Sequence, residues 1–164
     1  MRPDLMAKRD IVQNAIDLYA GLGLGVPKVA ILSAVETVTV SIPSTIEAAA
    51  LCKMADRGQI TGGILDGPLA FDNAISPEAA RIKGIKSDVA GQAEILVVPD
   101  LEAGNMLAKN LSFLAKADAA GIVLGARVPI VLTSRADNAR TRMASCAVAM
   151  AFAHNQRAQS PVRS

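Results

Sequence analysis

Apolar positions return along this chain in two alternating rhythms. Between residues 4 and 20, Leu5, Ile11, Val12, Ala15, Ile16 and Tyr19 recur at the three- and four-residue spacing of one helix face. Pro3 suits that helix's first turn and Gly21 its end. Residues 29–35, apolar apart from Ser33, read as a buried strand. Pro43 opens a second helix, with Ile46, Ala49, Ala50, Leu51 and Met54 on its apolar side and a stop at Gly58. A short strand over 60–65 runs into Asp66-Gly67-Pro68, and 72–82 reads as a short helix followed by a polar loop to Gln92. Beyond it come a strand over 95–98 stopped by Pro99, a helix over 103–117, strands over 122–124 and 128–132, a final helix over 137–152 and a frayed tail over 156–164.

Strands spaced by whole helices predict right-handed crossovers and a three-layer α/β/α fold, its mainly parallel sheet covered by helices on both faces. A doubly wound sheet usually opens with a strand, whereas this chain opens with a helix, so truncation is the expectation. Composition sharpens the picture only in places. Half of the 164 residues are hydrophobic (51%) but just 2% are aromatic, so Ala, Val, Ile, Leu and Met must build closely packed layers. No segment reaches the ~20 apolar residues of a membrane span, and no secretory h-region is present, so a soluble cytoplasmic protein is expected. Cys52 and Cys146 sit in apolar helical patterns and read as buried free thiols.

The net charge of +2 conceals an asymmetry. Residues 1–126 hold eleven Lys/Arg and fourteen Asp/Glu (net −3), while 127–164 hold six Arg and one acid, Asp137 (net +5). Arginines gathered at one end favour a phosphate-bearing partner. Stacking aromatics and long basic runs are missing, so nucleic acid is not expected.

Three predicted strand ends carry polar residues where open α/β sheets place ligands. They are Asp66-Gly67, then Asp100 with Gly104 and Asn105, and last Ser134-Arg135 with Asp137. Gly104 and Asn105 fall at the start of a helix, whose free amides accept a phosphate or carbonyl oxygen. Ser134 offers a hydroxyl, Arg135 a fixed cation and Asp137 a possible base, with Arg127, Arg140 and Arg142 close in sequence. The competing assignment makes Asp66 and Asp100 simple helix caps and Ser134 an N-cap with its neighbours in solvent. Gly21, Gly23 and Gly25 follow a helix and precede a strand, the wrong order for a dinucleotide fingerprint, so a helix end and turn is expected there. His154, the single histidine, reads as a surface residue near a helix C-terminus.

Five stretches together resemble the phosphate acetyl/butyryltransferase family. They are Ala55-Asp56-Arg57-Gly58-Gln59, Asp66-Gly67-Pro68-Leu69-Ala70-Phe71-Asp72-Asn73-Ala74, Lys86-Ser87-Asp88-Val89-Ala90-Gly91, Pro99-Asp100-Leu101-Glu102-Ala103-Gly104-Asn105, and the run from Ala126 through Arg127 to Ser134-Arg135. They stand in the family's order, and the likeness runs from about Pro3 to about Ala153.

The resemblance implies reversible acyl transfer between coenzyme A and inorganic phosphate, by direct attack of the CoA thiolate on an acyl phosphate in a ternary complex. It implies no cofactor, no metal and no acyl-enzyme, with CoA and phosphate as substrates and a homo-oligomer as the working form. By the family motif, Ser134 hydrogen-bonds the carbonyl oxygen or thiol and Arg135 helps hold phosphate or CoA. Asp66, Gly67, Asp100, Gly104 and Asn105 at the strand ends, with Arg127, are the candidate substrate-binding positions. The acetyltransferase pattern places a carboxylate seven residues after that serine, where this chain has Thr141, so Asp137 is the candidate base. The acetyl-specific Asn-Asp-Leu-Ser-Arg-Gly becomes Val131-Leu132-Thr133-Ser134-Arg135-Ala136, closer to the butyryl branch. Residues 1–134 are then the second α/β domain of such an enzyme. Residues 135–155 are its C-terminal helix, expected to pack on an N-terminal domain absent here and to leave the isolated chain weakly active or inactive. The alternatives are a CoA- or nucleotide-binding module that kept the fold and lost the chemistry, and a dehydrogenase of related architecture. The missing fingerprint and the missing acid cluster count against the dehydrogenase.

Overall fold

The computed structural model describes residues 2–159. Its order is α1 (Leu5–Gly21), β1 (Lys28–Leu32), α2 (Pro43–Asp56), β2 (Ile64–Leu69), α3 (Phe71–Ile75), α4 (Pro77–Ile82), β3 (Ile95–Val97), α5 (Leu101–Phe113), β4 (Ile122–Val123), β5 (Ile130–Val131) and α6 (Ala139–Gln159). The first three strands make one parallel sheet in the order β2-β1-β3, with Val29 opposite both Leu65 and Ile95.

Alternate residues of the central strand feed the two faces. Val29 and Ile31 pack with Val12 and Ile16 of α1, Ala48 and Leu51 of α2, and Val97. Ala30 and Leu32 pack with Leu69, Ala74 of α3, Ala80 of α4 and Val89, and Leu107 of α5 rests against this second cluster. Helices on both faces of a parallel sheet are the three-layer α/β/α arrangement expected from the pattern.

The sidedness of α1 differs from the expected stripe. Asp4 caps the helix by accepting from the Ala7 amide at 2.8 Å, and the buried line is Lys8, Val12 and Ile16, one turn apart. Ile11, expected inside, is 47% exposed, while the Lys8 side chain is 3% exposed and donates to Glu47 of α2 at 2.5 Å. A lysine takes a core position because a carboxylate on the neighbouring helix meets it there.

Four further expectations change. The strand expected over 60–65 is Ile64–Leu69, so Asp66 and Gly67 lie inside β2 and not in a loop after it. The reason is packing: a Cβ on Gly67 would stand 2.7 Å from the Ile31 carbonyl oxygen, so this glycine marks close strand approach and not a turn. The single helix expected over 72–82 breaks at Ser76, whose hydroxyl caps α4 by accepting from the Ala79 amide at 3.2 Å, with Pro77 behind it. The last two strands form an antiparallel pair outside the parallel sheet. Their connection is far shorter than the dozen or so residues a parallel crossover needs. Finally, α6 is helical to Gln159, four residues into the expected tail, and the rest of that tail lies outside the described residues.

The cysteines also differ from expectation, since Cys52 is half-buried and Cys146 exposed. Burial pushes the Cys52 thiol up to about 12, and the nearby Asp66 and Asp56 charges push the same way. Cys52 therefore stays a protonated thiol at neutral pH, donating to the Gly67 carbonyl with sulfur and oxygen 3.6 Å apart. Iodoacetamide at pH 8 is expected to alkylate Cys146 at least tenfold faster than Cys52. Mass spectrometry of the tryptic peptides reads the ratio.

Candidate functional site

The three polar strand ends do not converge equally. Asp66 is half-buried within β2, its Oδ1 accepting from the Gly67 amide at 2.8 Å. With β2 and β3 on opposite sides of β1, that pair stands about 10 Å across the sheet from the loop after β3. The other two groups are joined by one helix. Asp100 caps α5, its Oδ1 accepting from the Ala103 amide at 2.8 Å. Gly104 faces Val98, whose Cγ2 would lie 2.9 Å from a Cβ there, so the missing side chain lets α5 sit close on the sheet. Asn105, the next residue, is exposed.

At the next turn α5 presents Lys109, whose ammonium donates to the Ser134 hydroxyl at 3.3 Å. Along the axis, Asp100 and Lys109 are separated by about 13 Å at 1.5 Å per residue. Sequence reasoning missed Lys109. The signal was available, because Lys109 follows Asn105 by four residues and therefore shares its helix face.

The loop carrying Ser134 is tightly folded on itself. Its amide donates to Asp137 Oδ2 at 2.7 Å, while the Asp137 amide donates back to the Ser134 carbonyl at 3.0 Å. Ser134 Oγ accepts from the Ala136 amide, also at 3.3 Å. With two donors directed at the oxygen, the hydroxyl proton is left to donate outward. Asp137 is not the start of α6. The helix begins at Ala139, and Asn138 caps it by accepting from the Thr141 amide at 2.9 Å. One oxygen of the half-buried Asp137 carboxylate is thus spent on loop structure, and Oδ1 has no protein donor among the described residues.

The arginines separate. Arg135 and Arg127 are both exposed, Arg127 in the β4–β5 connection. Arg140 is paired with Asp118 at 2.8 Å, so its charge is already shared. His154 is exposed on α6. Around the site lies unusual apolar exposure: Leu101, Met106, Leu111 and Phe113 of α5, Val128 to Leu132 around β5, and Met143 and Met150 of α6. Among the described residues no three His, Cys, Asp or Glu side chains gather as a metal site, and no helix is long and apolar enough to cross a membrane.

The chemistry available is therefore a donating hydroxyl beside a lysine, a carboxylate with one free oxygen and a neighbouring guanidinium, all at an open surface. Comparison with known proteins points the same way. A family described as "Phosphate acetyl/butaryl transferase" matches residues 1–150. A phosphate acetyltransferase of Rhizobium meliloti is 80% identical over 95% of this chain and 49% of its own length. A phosphate butyryltransferase of Clostridium acetobutylicum is 46% identical over 94% of this chain and 51% of its own. Among solved structures, a branched-chain phosphotransacylase from Enterococcus faecalis superposes with a TM-score of 0.86 at 36% identity, covering 94% of this chain and 55% of that one. The chain spans about half the length of the curated relatives it matches.

Proposed function

The chain belongs to the phosphate acetyl/butyryltransferase family, and from that premise we propose that it supplies the Ser134 half of a phosphate acyltransferase active site. The reaction is reversible acyl transfer between coenzyme A and inorganic phosphate. The observation that carries this reading is the Ser134 loop, where a hydroxyl with its proton free stands against Lys109 and beside a half-engaged carboxylate.

In the direction of acyl-CoA synthesis, the CoA thiol gives up its proton to Asp137 Oδ1. The thiolate then attacks the acyl phosphate carbonyl carbon. A carbon–sulfur bond forms, the carbon–oxygen bond to phosphorus breaks, and phosphate leaves with the bonding pair. The Ser134 hydroxyl donates to the carbonyl oxygen as negative charge builds there, and the Lys109 ammonium on Oγ strengthens that donation. Arg135 neutralises the leaving phosphate or the CoA phosphates, and Arg127, exposed in the β4–β5 connection, is a second cation proposed for that role. Asp100, Gly104 and Asn105 offer polar and backbone groups for the remainder of the substrate at the start of α5, and Asp66 and Gly67 take a more distant part. Both substrates are present before transfer, and no bound cofactor is required.

Acetyl is the proposed acyl group, supported by the 80% identity to the Rhizobium meliloti acetyltransferase against 46% to a butyryltransferase. The exposed apolar surface of α5, β5 and α6 is where the other half of such an enzyme packs, and the working form is a cytoplasmic homo-oligomer. Two assays test this. The chain fused to the half of the Rhizobium meliloti enzyme that it does not match should form acetyl-CoA faster than butyryl-CoA from the corresponding acyl phosphates. The isolated 164-residue chain should run at under about a hundredth of that rate, as loss of substrate positioning predicts. Full activity of the isolated chain would remove the need for a second half.

A further inference from the structure

Phe113 has no place in the core. It is the last residue of α5, is 57% exposed and belongs to neither of the two apolar clusters that cover the sheet. Its ring instead meets a charge. The Lys109 ammonium lies 5.7 Å from the ring centroid, inside the range of about 6 Å over which the negative face of a ring holds a cation. Asn105, Lys109 and Phe113 follow one another at four-residue intervals and so share one face of α5. The same ammonium donates to the Ser134 hydroxyl at 3.3 Å, so one cation joins the ring to the Ser134 loop.

The kind of partner matters chemically. An exposed lysine carries three N–H donors on a flexible four-carbon stem and samples many rotamers unless something holds it. A carboxylate in place of the ring would hold it, but would offset its charge and take its hydrogens. A phenyl ring holds it through the ring quadrupole, brings no lone pair to compete with Ser134 Oγ, and leaves the positive charge whole. Among the described residues no carboxylate forms an ion pair with Lys109, so the charge is free to act on the Ser134 hydroxyl. The ring also has a fixed base. The Leu114 amide closes α5 by donating to the Asn110 carbonyl at 2.9 Å, and the Ala117 amide donates to the Leu111 carbonyl at 3.0 Å.

We infer that Phe113 is a positioning residue for acyl transfer: its ring face holds the Lys109 ammonium at the Ser134 hydroxyl without neutralising it. Phe113 touches neither substrate and acts through Lys109 alone. The inference rests on the roles given above to Ser134 and Lys109.

In the fused enzyme, Phe113→Leu keeps an apolar side chain but removes the ring face. It should lower kcat for acetyl-CoA formation about two- to fivefold, with both KM values nearly unchanged. Phe113→Tyr and Phe113→Trp, which keep a ring face, should restore the wild-type rate. Lys109→Met combined with Phe113→Leu should be no slower than Lys109→Met alone, because the ring acts only through the ammonium. In proton NMR of the 164-residue chain, the ring should shift the Lys109 ε-methylene resonances upfield of those of other exposed lysines, and Phe113→Leu should return them. Unchanged kcat in Phe113→Leu beside a slowed Lys109→Met would overturn the inference and leave the Ser134–Lys109 roles standing. A loss that adds in full to that of Lys109→Met would also overturn it, by making the ring a folding or docking residue. Unchanged kcat in Lys109→Met would remove the role of Lys109 itself, and the inference with it.

Discussion

Replacing Ser134 by alanine should lower kcat for acetyl-CoA formation by about 10²–10³-fold in the fused enzyme, with both KM values nearly unchanged. The hydroxyl is held as an acceptor by Lys109 and the Ala136 amide, so its proton has no use within the loop and is directed outward. A donor that meets charge only as it develops on the carbonyl contributes to the transition state and little to ground-state binding. Lys109→Met should give a smaller loss in the same direction, because it weakens the donor without removing it. Asp137→Asn separates two duties. The asparagine carbonyl can still accept from the Ser134 amide and keep the loop, but it cannot take a proton from the thiol. A fall in kcat that is partly recovered at high pH, where free CoA is already thiolate, would assign Asp137 as the base. Unchanged turnover would rule that role out. A fall in KM-dependent rate alone for Ser134→Ala would make it a binding residue.

The largest stability effect is expected at Glu47→Gln. Lys8 is 3% exposed and depends on Glu47, itself 23% exposed, which also pairs with Arg2 at 3.2 Å. Burial pushes the Glu47 carboxyl up, but the hydrogen bond and charge of Lys8, with Arg2 behind them, outweigh it and hold the group below its ordinary value of 4.5. Removing the carboxylate strands a buried ammonium. The loss should be about 3 kcal/mol, the low end for breaking a buried pair, since Glu47 keeps an edge in water and glutamine still accepts a hydrogen bond. Urea unfolding at pH 7 measures it. The pH dependence has a definite sign. A carboxylate with a lowered folded-state value binds fewer protons in the native state, so its contribution is complete above the ordinary value. That contribution is lost as pH falls through the folded-state value, so the gap between wild type and variant should close on acidification below 4.5. Combining Glu47→Gln with Lys8→Met should recover most of the stability, because no buried charge is then left unpaired; Arg2, which also loses its partner, is half exposed to water.

What the sequence disclosed, and what it hid, can be traced to particular residues. Helical spacing located α1, α2, α5 and α6, and apolar runs located β1 and β3, because each of these patterns is local. Lys8 was invisible as a core residue because its burial depends on Glu47, thirty-nine positions away. Asp66-Gly67-Pro68 reads as a polar loop at a strand end, since glycine and proline end strands when nothing is known of the neighbour, but Gly67 exists for contact with Ile31. The short gap between Val123 and Ile130 did signal a hairpin, and reading it as another crossover was an error of connection length. At the site, Ser134 and Asp137 were close in sequence and were seen as a pair. Their hydrogen bond runs through the Ser134 amide instead of the hydroxyl. Lys109 reaches Ser134 across twenty-five positions, and only the placement of α5 brings it there.

The central claim is direct acyl transfer at the Ser134 loop with both substrates bound. Initial rates of acetyl-CoA formation in the fused enzyme, measured while acetyl phosphate and CoA are varied together, test it most directly. Double-reciprocal lines that intersect, with no acetyl label retained on the protein, are the predicted result. Parallel lines with a labelled protein would mean an acyl-enzyme and contradict the account.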